Sequence, residues 1–84
     1  MNERQIWMQI EKLVLSEFNV ESLPKTVEEL TLGDLDEWDS VGNLNFILAV
    51  ESTFGIRFSA EDIAKIKSTR GAVDGLLRQI DAGE

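Results

Sequence analysis

Apolar residues recur at helical spacing from the first turns of the chain. Ile6, Ile10, Leu13, Val14 and Phe18 fall on one face, and Trp7 and Leu15 widen it; this is the period of a helix packed on a core. Asn2-Glu3-Arg4-Gln5 stands before them as a capping box, an Asx cap answered by glutamine. A first helix is predicted from about Glu3 to Phe18.

The pattern then lapses. Asn19 to Asp39 reads as a long connection, because Leu23-Pro24 breaks any helix and Gly33 and paired acids interrupt the rest. Connections of this length in compact domains need a job or an anchor. Leu30, Leu32 and Leu35 punctuate this one and are expected to tie it across the helices.

Periodicity resumes at Ser40 and predicts a second helix over 40–54. Phe46, Ile47, Val50 and Phe54 share one side, Val41, Leu44 and Leu48 form an adjoining stripe, and Gly42, Asn45, Ala49 and Ser52 face roughly away. So wide an apolar arc means either near-complete burial or a stripe left for a partner. Gly55 supplies a stop. Ser59-Ala60-Glu61-Asp62 opens a short third helix, about 60–66, with Ile63 and Ile66 inward. Ser68-Thr69 caps a fourth, about 69–80, with Ala72, Val73, Leu76, Leu77 and Ile80 apolar. Gly71 and Gly75 each cost that helix about 1 kcal/mol against alanine, so packing must hold it. Asp81 to Glu84 are expected to fray. No strand pattern competes, and the expected fold is all-α: a small four-helix bundle, three main helices and one short, forming one domain over residues 1–84.

Composition narrows the functions. Eighty-four residues without cysteine must hold together by one packed core. Sixteen acidic against eight basic residues, net −8, disfavour phosphate-backbone binding and anionic membrane surfaces, so neither nucleic acid nor membrane insertion is expected. Basic protein surfaces are the natural complement. The acids also cluster: Glu28, Glu29, Asp34, Asp36, Glu37 and Asp39 precede Ser40. No signal-peptide pattern and no bilayer-length apolar run is visible, and a cytoplasmic protein is expected.

Enzymatic readings find little support. Histidine and cysteine are missing, and with them the usual base and soft nucleophile. Asp34-Leu35-Asp36 begins like a calcium loop, but Asp39 and Asn45 stand where glycine and glutamate belong, so no metal site is expected. Asp39-Ser40 remains. A serine after aspartate at a helix start is ordinarily a cap; the other reading makes Ser40 an acceptor of modification.

The residues around it decide between these. From Asp39 onward the chain resembles the acyl carrier protein family, whose signature is Asp-Ser-Leu, a small or acidic pair, an apolar residue and a helix ending Glu-x-x-Phe. Here it stands as Asp39-Ser40-Val41-Gly42-Asn43-Leu44, closed by Glu51-Ser52-Thr53-Phe54. The likeness continues through Phe58, Glu61, Lys65-Ile66, Ala72-Val73-Asp74 and Leu76, and back to Leu32-Gly33-Asp34-Leu35 and the first helix. The resemblance implies a non-catalytic carrier with a 4′-phosphopantetheine arm on Ser40, beside Asp39, transferred from coenzyme A by a phosphopantetheinyl transferase. An acyl or aminoacyl intermediate would ride on the arm as a thioester. Further partners would be a cargo-loading ligase or transferase and downstream biosynthetic enzymes with basic docking patches. A monomer is expected. The alternative is an unmodified carrier-like module that binds a basic partner while Ser40 only caps.

Two departures refine the expectation. The fatty-acid type studs its second helix with acid, whereas here that helix holds only Glu51. Docking is therefore expected through Val41, Leu44 and Leu48 with Asp34, Asp36, Glu37 and Glu51. Trp38 replaces a small residue and either packs on the loop leucines or shields the arm; Trp-Asp-Ser resembles carriers of specialised pathways. The positions matching the family's acyl cavity are Phe46, Val50, Phe58, Ile63, Ile66, Ala72 and Leu76. Bulk at Phe46, Phe58 and Ile63 closes voids, so short or polar cargo is expected.

Overall fold

The capping box at the start of the chain forms as the residues require. Asn2 Oδ1 accepts the Gln5 N–H at 2.9 Å and Gln5 Oε1 accepts the Asn2 N–H at 3.0 Å. In the computed structural model, which describes residues 2–82, this pair opens α1 (Glu3–Glu17). A 3₁₀ turn (Val27–Glu29), α2 (Ser40–Phe54), α3 (Ala60–Lys65) and α4 (Thr69–Ala82) follow, with no strand among the described residues. The small helical bundle expected from the pattern is the observed fold.

Each helix end has a chemical cause. At the end of α1, Asn19 adopts the left-handed conformation at φ 53°. The Val20 N–H then reaches the Leu15 carbonyl and the Asn19 N–H the Ser16 carbonyl, a Schellman closure with asparagine in place of glycine. α2 stops at Gly55, which takes φ 66°. Ser59 Oγ accepts the Asp62 N–H at 3.1 Å to start α3, and Ser68 Oγ accepts the Gly71 N–H at 2.9 Å to start α4. The α4 backbone stays helical through Ala82, so Asp81 and Ala82 extend it where fraying was expected. Gly83 and Glu84 lie outside the described residues.

α1 packs on α2 and α4 and buries Ile6, Ile10, Val14 and Phe18 against them. Phe46, Ile47 and Val50 come from α2, Ala72, Val73 and Leu76 from α4, and Phe58 and Ile66 from the links around α3. Gly75 lets the Phe58 ring lie against α4, since a Cβ there would sit 3.0 Å from Phe58 Cε1. On the outer side of α1, the half-buried Trp7 lies under the Arg70 guanidinium, 5.2 Å from the ring centroid.

The long connection is anchored throughout. Leu30 and Leu35 are buried, Leu32 packs partly against the core, and Val27 joins them through the 3₁₀ turn. Its backbone is also laced to the link before α4. The Leu32 N–H and Thr31 Oγ1 donate to the Lys67 carbonyl at 2.8 and 2.9 Å. Thr69, taken from sequence as part of a cap, is wholly buried instead. Its N–H donates to the Leu30 carbonyl at 3.1 Å and its hydroxyl donates to the Val27 carbonyl.

Thr69→Val keeps the shape and removes that donor from a buried carbonyl. It is expected to lower stability by about 1–3 kcal/mol, the usual cost of stranding one buried polar group. Thr69→Ser, which keeps the hydroxyl, should lose only about 0.8 kcal/mol for the missing methyl. Urea-unfolding midpoints at unchanged m-value test the order.

Candidate functional site

The site forms where the connection becomes α2. The Gly33 N–H donates to the Trp38 carbonyl at 3.0 Å and the Trp38 N–H to the Leu35 carbonyl at 2.9 Å, closing a tight loop that fixes Trp38. Its ring stacks on Phe18 with centroids 4.7 Å and planes 19° apart, and tilts against Phe46 at 5.4 Å. Only 1% of the residue is exposed, which leaves no face for shielding a tethered group. Trp38 is a core residue clamping the end of α1 to α2, and its aromatic partners are Phe18 and Phe46.

A buried indole must still place its N–H. Trp38 Nε1 donates to Asn43 Oδ1 at 2.9 Å, and Asn43 Nδ2 donates to the Ile66 carbonyl at 2.7 Å. Asn43 is therefore buried on α2, a role the sequence reading missed. The available signal was the tryptophan itself, whose N–H needs an acceptor once buried.

With Trp38 fixed, the helix start follows. Asp39 Oδ1 accepts the Gly42 N–H and the Asp39 carbonyl accepts the Asn43 N–H, both at 2.8 Å. Asp39 is thus the N-cap and Ser40 the first helical residue, which corrects the reading of Ser40 as the cap. Ser40 is exposed, and its hydroxyl has no hydrogen-bond partner among the described residues. The Ser40 and Val41 N–H groups likewise have none. A phosphate ester on Ser40 would meet two free donors and the positive end of the helix without displacing the cap.

Gly42 does not face away as expected. A Cβ there would run into the Glu37 carbonyl oxygen and stand 3.2 Å from Phe18 Cε1. The loop backbone therefore rests directly on the first turn of α2.

Val41, Leu44 and Leu48 are 69, 45 and 49% exposed, which settles the wide apolar arc in favour of a stripe left uncovered. Exposed Asp36 and Glu37 edge an open groove of ≈ 590 Å³ whose lining includes Phe18, Leu23 and Leu35. The other two acids of the expected docking set are engaged internally. Asp34 accepts the Thr31 N–H at 2.9 Å and pairs with Lys25 at 3.2 Å. The Thr31 bond, with Lys25 assisting against partial burial, holds its carboxyl below the ordinary value. Glu51 Oε2 accepts the Phe58 N–H at 2.7 Å and ties the end of α2 to the following link. Phe46, Val50, Phe58, Ile66, Ala72 and Leu76 are buried in one apolar cluster, and Ile63 packs half-buried against it. No helix among the described residues is long and apolar enough to cross a membrane.

Among curated proteins, the chain is similar to the acyl carrier protein of Lactobacillus acidophilus, 33% identical over 73 residues, 87% of this chain and 90% of that one. It is also similar to the acyl carrier protein of Coprothermobacter proteolyticus, 30% identical over 74 residues, 88% of this chain and 89% of that one. No family model matches. No solved structure matches either.

The close approach at Gly42 has a measurable consequence. Alanine at an open helical position would stabilise by about 1 kcal/mol over glycine. Here Gly42→Ala is expected to destabilise by about 1–3 kcal/mol, because its methyl meets backbone that cannot rotate aside. Thermal unfolding should show the lowered midpoint, with shifted amide resonances at Glu37 and Trp38.

Proposed function

Because the chain belongs to the acyl carrier protein family, we propose that it holds an acyl or aminoacyl intermediate on a 4′-phosphopantetheine arm attached to Ser40. One observation carries the placement: Asp39 caps α2, so the Ser40 hydroxyl is exposed and unbonded beside two free backbone N–H groups. A transferase can reach it, and the phosphodiester finds donors already aimed outward. When attached, the arm supplies a thiol that carries cargo as a thioester. The chain contributes no histidine or cysteine that would attack it, consistent with a carrier that performs no catalysis itself.

The residues of this chain position rather than react. A cargo tethered at Ser40 has a high effective concentration at any enzyme docked on the surface around it. In this reading Val41, Leu44 and Leu48 form the apolar part of that surface, and Asp36 and Glu37 face the basic patches of a phosphopantetheinyl transferase, a loading enzyme and downstream biosynthetic enzymes. Asp34 and Glu51 support it from within. The scarcity of acid on α2 and the Trp-Asp-Ser sequence favour a specialised cytoplasmic pathway over fatty-acid synthesis. The filled interior around Phe46, Phe58 and Ile63 favours short or polar cargo.

Co-expression with a broad-specificity phosphopantetheinyl transferase tests the attachment. Intact mass should show one added phosphopantetheine on the wild type and none on Ser40→Ala. An unmodified wild type, under conditions that load a control carrier, would instead support an interaction module in which Ser40 takes no group. The docking surface is tested separately by Leu44→Glu with Leu48→Glu. Both side chains are about half exposed, so the unfolding free energy should fall by no more than about 1 kcal/mol. The kcat/KM of the transferase should fall about tenfold or more, the equivalent of about 1.4 kcal/mol of lost docking.

A further inference from the structure

The geometry points to Asn43 as the residue that decides which cargo the domain can shelter, because through Trp38 and Ile66 it shuts the seam between α2 and the end of α3. This inference rests on the reading of Ser40 as the attachment site. Ser40 and Asn43 lie one turn apart on α2. A chain tethered at Ser40 that turned inward by the first turn of α2, towards Phe46, Ile63 and Ile66, would part α2 from the segment ending α3, and Asn43 bonds across that seam to the Ile66 carbonyl.

The bond cannot be traded for another. The indole N–H of Trp38 takes Asn43 Oδ1, so the amide NH₂ must face Ile66. Turning the amide over would set donor against donor at Trp38 and acceptor against acceptor at Ile66. Trp38 is itself held by the Phe18 stack and by two backbone bonds to its loop. No buried side-chain polar atom among the described residues lacks a partner. An apolar cargo forcing the seam would strand the Ile66 carbonyl and the Asn43 amide together, and hydrocarbon offers neither a replacement. An apolar residue at position 43 would close the same space without that directional demand and would yield to an alkyl chain. Short or polar cargo never reaches the seam. Asn43 is therefore a positioning residue that excludes long apolar cargo from the interior.

The chain has no cysteine, so Ser40→Cys creates one attachment point that needs no transferase. Failure of enzymatic modification thus bears on the proposed function, and the experiment below bears on Asn43. Maleimides carrying an ethyl or an octyl chain on a pantetheine-length spacer are attached, and amide resonances of Phe46, Val50, Ile63, Ile66 and Leu76 are compared. With Trp38 and Asn43 intact, the ethyl and octyl adducts should give the same core spectrum. With Trp38→Phe and Asn43→Val added, the octyl adduct alone should shift those resonances and show proton–proton contacts from the alkyl chain to Ile63 and Leu76. A residue that merely stabilised the fold would lower the melting temperature without creating this dependence on chain length. If the double variant does not fold, Asn43→Val alone, which leaves Trp38 packed and removes the bond to the Ile66 carbonyl, should give the same shifts at smaller size. Octyl insertion with both residues intact would overturn the inference. So would octyl exclusion from the folded variant, or rapid exchange of the Asn43 side-chain protons in the wild type.

Discussion

A buried indole needs an acceptor for its N–H, and the start of α2 is built around meeting that need. Trp38 is enclosed by Phe18 and Phe46, so water cannot serve. Asn43 serves instead, which requires α2 to begin early enough to bring residue 43 around to the core. That start makes Asp39 the cap and leaves Ser40 as the first residue with helical geometry and a hydroxyl in solvent. It also presses the Glu37 carbonyl onto the first turn, where only glycine leaves room. The exposure of one serine is thus determined by the burial of the tryptophan two positions before it.

The connection between α1 and α2 serves the same end from the other side. Its length would be an entropic burden if it hung free, and the structure removes the slack with a buried threonine. Thr69 binds two of its carbonyls, and Lys67 receives the donors at Thr31 and Leu32. Val27, Leu30 and Leu35 add apolar anchors. The backbone leading to Asp36 and Glu37 is therefore held in place just before Ser40.

Much of this was legible because local chemistry dictated it. The capping box, the αL glycine at 55, the serine starts of α3 and α4 and the limits of α2 each follow from a few adjacent residues. Bonds between distant residues were not legible. Thr69 looks like a cap from its neighbours, and only the 3₁₀ turn folded over it reveals a buried tie. Gly42 reads as surface from helical periodicity, yet a backbone from outside the helix lands on it. Ser40 reads as the cap from its neighbours, yet Asp39 takes that place while Asn43 turns into the core, a burial that no apolar pattern can signal. Asp34 and Glu51 look like free surface charge in sequence, yet each accepts a backbone N–H and Asp34 also pairs with Lys25.

The distribution of what remains exposed bears on how a partner would approach in the docking we propose. Exposed charge still acts over about 8 Å at physiological salt, and the free acids Asp36 and Glu37 sit at one end of α2, beside Ser40. The apolar stripe of Val41, Leu44 and Leu48 runs from that end along the helix. Charge at one pole and apolar contact along the axis make the surface directional. In the proposed docking a basic patch on an arriving enzyme would be drawn first to the end that bears Ser40, and apolar contact would then fix the orientation along α2. A second helix studded with acid would attract basic surfaces along its whole length and set that register less sharply. In that docking, acid placed before α2 rather than along it exchanges breadth of electrostatic attraction for definition of the approach.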